Sequence, residues 1–314
     1  SADLAVLLNV NPERTRSDLL PVTESPDPWT PMDQYYDLKA AIAQLDNLSV
    51  KRQTAIENRR DAADKALASV NVESFEVTET GGVRKEWRLC SNTESTESDF
   101  ELTVRLQGIL ANVNLVPNSR ETQNLAFDKR LYLSQRVTVG GFGSTKFAES
   151  LNKRDDVFNL FDRHFPQRTL MPARYEPGTL SASTRYFTLK MDALTEDDTP
   201  FSRSIDPMGE LERMKGKDLI HLDDNKVKLL KKQMKDSSRK SRYEEASPSN
   251  FETGDIVELQ IYFVATQRKD GKVMLTTRLH GMTLLDKTYT KAGLTTERAM
   301  YKITYHGTCP RTLR

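Results

Sequence analysis

Cysteine is nearly absent: Cys90 and Cys309 are the only two in 314 residues. Two thiols so far apart exclude a disulfide scaffold and a cysteine-based zinc site, and they fit a reducing compartment. Cys90 sits in a strand pattern and Cys309 next to Pro310, and a nucleophilic thiol is not supported. Long apolar runs are also missing. No stretch approaches the ~20 apolar residues that span a bilayer, and the apolar segment at residues 4–10 is short and follows no basic region. The expectation is a chain with no signal peptide and no membrane anchor, working inside the cell in nucleus or cytoplasm; Ser in place of Met at the start suggests a processed or trimmed beginning. An excess of one charge is lacking as well: 46 Lys and Arg stand against 45 Asp and Glu. The overall field therefore argues for neither a nucleic-acid coat nor an acidic decoy, and any electrostatic function must be local.

What is present fits a globular protein with long polar loops, since 37% of residues are apolar and 29% charged. The length suits two ordinary domains. Residues 1–30 contain Pro12, Pro21, Pro26 and Pro28 and no sustained period, which reads as an extended arm. Thr30-Pro31 and Asp33 supply a cap, a first-turn proline and a favourable dipole charge. After them Leu38, Ala41, Ile42, Leu45 and Leu48 form a helical stripe. Ser49 offers a break, and Ile56, Ala63, Ala66, Leu67 and Val70 predict a second, thinner stripe, so a helical hairpin is expected. A dimerising coiled coil would need three to four clean heptads, which are not there.

From Phe75 the period becomes two. Phe75 and Val77, the Gly81-Gly82 turn, then Val83, Trp87 and Leu89 predict a β-hairpin. Phe100, Leu102, Val104 and Leu106 alternate strictly, and Leu131, Leu133, Val137 and Val139 predict a further strand. Helix-like pieces over residues 146–172 precede a domain boundary near 175, marked by Pro172 and Pro177-Gly178. Beyond it a strand is expected over 183–194. A hairpin is expected about Asp223-Asp224-Asn225, joining 219–221 to 227–230. The clearest hairpin joins 256–266 to 272–285 through Arg268-Lys269-Asp270-Gly271, because Asp-Gly is the strongest short-range hairpin signal. The predicted fold class is therefore α+β: an arm at 1–30, a helical and β-hairpin domain at 31–175, and at 176–314 an antiparallel β-barrel or sandwich of OB-like character.

Four segments of the second half, Asp206-Pro207-Met208-Gly209, Ile220-His221-Leu222-Asp223-Asp224-Asn225-Lys226-Val227, Gly254-Asp255-Ile256-Val257-Glu258-Leu259-Gln260 and Leu284-Leu285-Asp286, carry a resemblance. Over residues 183–290 the chain resembles a group of uncharacterised proteins of mushroom-forming fungi that often accompany mobile elements. The resemblance implies no established activity, fold or site residue.

Among candidate sites the basic run is foremost. Lys226, Lys228, Lys231, Lys232, Lys235, Arg239, Lys240 and Arg242 lie within residues 226–242, with Tyr243 adjacent and Asp236, Glu244 and Glu245 opposing them. With Arg268, Lys269, Lys272 and Arg278 on the next hairpin, and Tyr262 and Phe263 for stacking, they would make a single-strand-binding surface. The plain alternative is a solvated loop. His221, Asp223 and a distant His306 have the residue types of a two-histidine, one-carboxylate iron site, with Arg311 as an acid-binding arginine, yet Asp223-Asp224-Asn225 also reads as turn chemistry. The run from Gly140 to Lys146 resembles a phosphate-cradling loop, but Ser144-Thr145 precede the lysine, and a loop after a strand explains it better. Trp29 and Trp87 read as core or arm anchors, and His164 and His280 have no partners.

These observations predict a non-catalytic nucleic-acid-binding protein with no cofactor and no metal. The rival is a structural protein self-associating as a homo-oligomer through the arm and the helix at 31–48. A non-heme iron oxygenase is third.

Overall fold

A computed structural model describes residues 36–57, 65–80, 85–91, 101–116, 125–167, 169–171, 176–193, 195–234 and 241–290. The fold is organised about one strand, β11 (Ile256–Gln267). Its near-continuous apolar run suits a strand covered on both faces. Val257, Leu259, Ile261, Phe263 and Ala265 enter the main core, while Ile256 joins a second cluster under helix α1 (Leu38–Glu57). β11 turns back through residues 268–272 into β12 (Val273–Asp286), and the tight turn places Gly271 at φ 79°. This is the hairpin that Asp270-Gly271 predicts.

Ten strands among the described residues form one mixed sheet. Its remaining members are β1 (Lys65–Ala66), β2 (Phe75–Thr80), β3 (Glu86–Ser91), β4 (Val104–Asn114), β5 (Ser134–Gly140), β6 (Thr179–Arg185), β9 (Lys228–Met234) and β10 (Ser241–Glu245). The order along the sheet is β10-β9-β12-β11-β4-β5-β6, and β3, paired with β2, lies beside the far end of β11. Most pairings are antiparallel, but β1 runs parallel to β4 and β9 parallel to β12. Short strands β7 (Thr188–Leu189) and β8 (Leu219–Ile220) pair separately.

The protein is thus α+β, with a large mixed sheet in place of a purely antiparallel one. The ladder does not close into a barrel. At the open seam a side chain of the end strand β6 reaches β12: the Thr184 hydroxyl donates to Leu279 O at 2.6 Å and accepts from Leu279 N at 3.1 Å. The sheet also runs across position 175, since β5 pairs with β6 and β4 with β11.

Helix α1 is capped by Asp37, whose Oδ1 accepts from Ala40 N at 3.0 Å; Thr30 and Pro31 lie outside the described residues. Its predicted stripe faces the sheet, with Ala41 and Leu45 fully buried on Ile109 and Ile256. Ser49 does not break it, because its hydroxyl reaches Gln107 Oε1 at 3.2 Å. The predicted second helical stripe is a correction. Leu67 and Val70 are buried by a 3₁₀ turn, Leu67–Ser69, packed against α3 (Thr145–His164), and a three-residue spacing reads alike in both helix types. The hairpin expected about Asp223-Asp224-Asn225 is another. These residues do turn, with Asn225 Oδ1 accepting from Leu222 N at 2.8 Å, but β8 pairs with β7 and β9 with β10 and β12. Two further short helices are α2 (Phe127–Arg130) and α4 (Glu210–Lys215).

Candidate nucleic-acid interface and an adjoining cavity

The basic run 226–242 is a hairpin rather than a loop. β9 and β10 pair from Leu230↔Glu245 to Met234↔Ser241, leaving residues 235–240 as the connection, so Lys235, Arg239 and Lys240 lie outside the described residues. Arg242 stands opposite Gln233 in the ladder. Directly paired residues share a face. Lys228, Lys232 and Tyr243 therefore lie on one side, the last 48% exposed, whereas Lys231 lies on the other beside Leu284 and Glu244. Strand alternation divides what the sequence presents as one cluster. Lys226 precedes the strand and is held by Asp223 at 2.6 Å.

The parallel register of β9 and β12 then sets the cationic groups apart. Lys228 lies opposite Gly281 and Lys231 opposite Leu284, so β9 runs alongside the final residues of β12. The turn bearing Arg268, Lys269 and Lys272 is at the beginning of β12, about 30 Å from Gly281 at ~3.3 Å per residue. The β9 lysines and the basic turn at 268–272 lie toward opposite ends of β12.

Tyr262 and Arg278 are directly paired midway between them. Tyr262 is only 7% exposed; Arg88 lies 5.6 Å over its ring and His280 packs edge-on at 6.5 Å. Burial pushes its phenol up to about 12, with Arg88 opposing and Glu101 adding to the rise. A cavity of about 380 Å³ here gathers Arg88, Arg185 and Arg278 with Glu86, Asp192, Glu196 and Asp224. Arg88 is paired with Glu101 at 3.0 Å and with Glu86 and Asp224 at 3.5 Å. The patch sets three arginines against four carboxylates, and Tyr262 is covered rather than offered as a stacking face. Phe263 is a core residue.

A larger cavity, about 560 Å³, opens at the base of the β9–β10 hairpin. One wall is the segment 200–205, the other is residues 226–230 with Glu245 and Ala246; Gln135, Tyr186 and His221 complete it. The 200–205 wall is fastened at its root. Asp198 Oδ1 accepts from His221 N at 3.0 Å, its Oδ2 accepts from Lys215 Nζ at 2.6 Å, and Thr199 N donates to His221 O at 2.7 Å. The Lys215 ammonium and the His221 N–H hold the Asp198 carboxyl below its ordinary range despite some burial.

His221 is 3% exposed and stacks on Phe201, with ring centroids 4.0 Å apart. Its Nδ1 lies 2.8 Å from Tyr186 O. A carbonyl only accepts, so Nδ1 carries the proton and Nε2 is left as an acceptor. Burial, then Lys226 and Lys215, hold the imidazole below its ordinary pKa and keep it neutral near pH 7. Asp223 of the His221-Leu222-Asp223 motif points to solvent and pairs with Lys226. His306 and Arg311 lie outside the described residues, among which no three His, Cys, Asp or Glu side chains converge as a metal site would require.

The Gly140–Lys146 run connects β5 to α3. Phe142 and Gly143 adopt φ 48° and 104°, and Ser144 caps the helix by accepting from Phe147 N at 3.1 Å while its hydroxyl donates to Asp46 Oδ1 at 2.5 Å. A carboxylate beside the helix N-terminus is the wrong neighbour for a phosphate. Lys146 pairs with Glu149. Trp87 packs edge-on against Phe165 at 4.9 Å, as a core anchor, and Cys90 is buried in β3.

Sequence reasoning missed Gln135 and Phe201. Gln135 carried a signal: it shares the inward face of β5 with Val137 and Val139 and is 2% exposed, a polar residue at an apolar position. No protein-family model matches the chain, and no curated protein is significantly similar to it. No helix among the described residues is long and apolar enough to cross a membrane.

Proposed function

We propose that this chain binds single-stranded nucleic acid without catalysis, laying the sugar-phosphate backbone along the β9–β10 hairpin. The observation that carries the reading is the hairpin's own pattern. Lys228 and Lys232 share a face with the exposed Tyr243, so cations alternate with an aromatic ring able to stack on a base. The sequence adds Lys235, Arg239, Lys240 and Arg242 toward the turn. Behind it we read β12-β11-β4-β5-β6 as an OB-like platform, a reading supported by the return of β6 to β12 at Thr184. The basic turn at 268–272 is too distant to share one short strand with the hairpin, so the footprint centres on β9–β10.

Fluorescence anisotropy of labelled single-stranded and duplex oligonucleotides, from ~50 to ~200 mM salt, tests this. Binding is expected to favour single strands and to weaken with salt. Replacing Lys228 and Lys232 with Ala is expected to flatten the log–log salt slope by about 1.4, at ~0.7 for each single-strand phosphate that is no longer neutralised. Absence of binding at low salt would refute the proposal. Self-association through α1 receives no support from packing, since its stripe already lies on the chain's own sheet; the arm at 1–30 lies outside the described residues.

A further inference from the structure

The 560 Å³ cavity falls within the ~300–1,000 Å³ of small-ligand sites. Two side chains on its wall each leave an acceptor without a partner. His221 uses Nδ1–H on Tyr186 O, which fixes the tautomer and makes Nε2 a lone-pair acceptor. Gln135 uses its amide N–H on Asn225 O at 3.1 Å, and because that partner is a carbonyl, the amide is oriented with Oε1 as the remaining acceptor. Neither Nε2 nor Oε1 has a hydrogen-bond partner among the described residues, and both residues are more than nine-tenths buried. A neutral ligand edge bearing N–H donors completes such a pair, whereas an edge of carbonyl oxygens sets acceptor against acceptor.

The rest of the cavity narrows the ligand. Phe201, Ile205 and Leu229 supply apolar and aromatic wall for a flat ring. Lys226 and Lys228 stand at the side where β9 begins, and β9 leads straight into the cationic hairpin. Donors are wanted inside and negative charge outside. We infer that this cavity receives an unpaired, amino-bearing nucleobase, with its exocyclic N–H group on His221 Nε2 and Gln135 Oε1 and its phosphate beside Lys228. The inference rests on the strand-binding reading above and adds base selectivity to it. Adenine, cytosine and guanine carry the amino group; thymine and uracil place carbonyl oxygens at those positions and are disfavoured. The fastening of the 200–205 wall through Asp198, Thr199 and Lys215 means that the cavity is formed before the base arrives.

The test compares dA12, dC12 and dT12 by anisotropy on the full chain and titrates AMP, CMP, UMP and ribose 5-phosphate by calorimetry. The amino-bearing ligands are expected to bind about tenfold tighter than their dT12 and UMP counterparts, the scale of one or two unmade hydrogen bonds. Two variants localise the effect. Ser204→Trp fills the cavity from an exposed position on its rim. His221→Asn keeps a donor for Tyr186 O and removes the Nε2 acceptor; circular dichroism confirms that both are folded. Both variants are expected to bring dA12 down to dT12 affinity while leaving the salt slope unchanged, a result that a merely structural role for these residues would not give. If dA12 and dT12 bind equally and both fall with salt, the cavity inference is overturned and strand binding stands. If AMP binds in a Ser204→Trp-sensitive manner but no oligonucleotide binds, the strand reading is overturned and with it the inference as stated. Mononucleotides that fail to bind while dA12 selectivity persists and is lost in Ser204→Trp would support it, with the strand as the source of the base.

Discussion

Thr184→Val removes the side-chain bridge that ties the end strand β6 to β12. Thr184 is 2% exposed and Leu279 1%, so valine would leave the Leu279 N–H and C=O without their Thr184 partner in a site that water does not reach. Each buried orphan costs ~1–3 kcal/mol. After allowing for a buried hydroxyl exchanged for a methyl, a loss of about 2–4 kcal/mol is expected. At ~2–4 °C per kcal/mol for a domain of this size, the melting temperature should fall by about 5–15 °C. Urea titration followed by far-ultraviolet circular dichroism measures it, as a lower midpoint at an unchanged slope. Thr184→Ser is the control: it keeps the hydroxyl and gives up one methyl, at about 1 kcal/mol. A valine variant within ~1 kcal/mol of the parent, or a serine variant worse than the valine, would refute the idea that this hydroxyl holds β6 to β12.

Three further outcomes are expected. Ser144→Ala removes the cap of α3 and the hydrogen bond to Asp46, and thermal melting should show a loss of about 1–2 kcal/mol. Gly254→Ala puts a Cβ 2.7 Å from the Tyr36 ring at φ 95°, so a destabilisation of at least about 2 kcal/mol is expected in urea. His221 and His280 are both held below the ordinary histidine value by burial, so the unfolded chain binds protons first as pH falls. Their contribution is complete above ~6.5 and drains away below it; urea midpoints measured between pH 7.5 and 5 should decline, and less steeply in His221→Asn.

Local signals were the legible ones. Asp270-Gly271 specified the β11–β12 hairpin, Gly81-Gly82 lay between β2 and β3, and the Ala41 and Leu45 stripe marked α1, because each depends on residues adjacent in sequence. Partner choice across long separations was not legible. Nothing in residues 227–230 says that β9 runs parallel to β12 rather than antiparallel to residues 219–221. That choice sets the β9 lysines apart from the basic turn at 268–272, so it also decided how much of the expected surface is one surface. The cavity was invisible for the same reason: Gln135, Phe201 and His221 meet only after β5 and β9 take their places about β11 and β12.

The position of β11 also bears on how the protein is made. Its antiparallel partner β4 ends at Asn114, and β11 begins only at Ile256. At ~5–20 residues per second, β4 leaves the ribosome roughly 10–30 s before the strand that covers its edge. Throughout that interval Val104, Leu106 and Ile109, all fully or nearly fully buried in the finished fold, lie on a strand whose later partner has not been synthesised. Such an edge invites pairing with other nascent chains, so yield on expression should depend on chaperone supply and growth temperature more steeply than the stability of the finished protein would suggest.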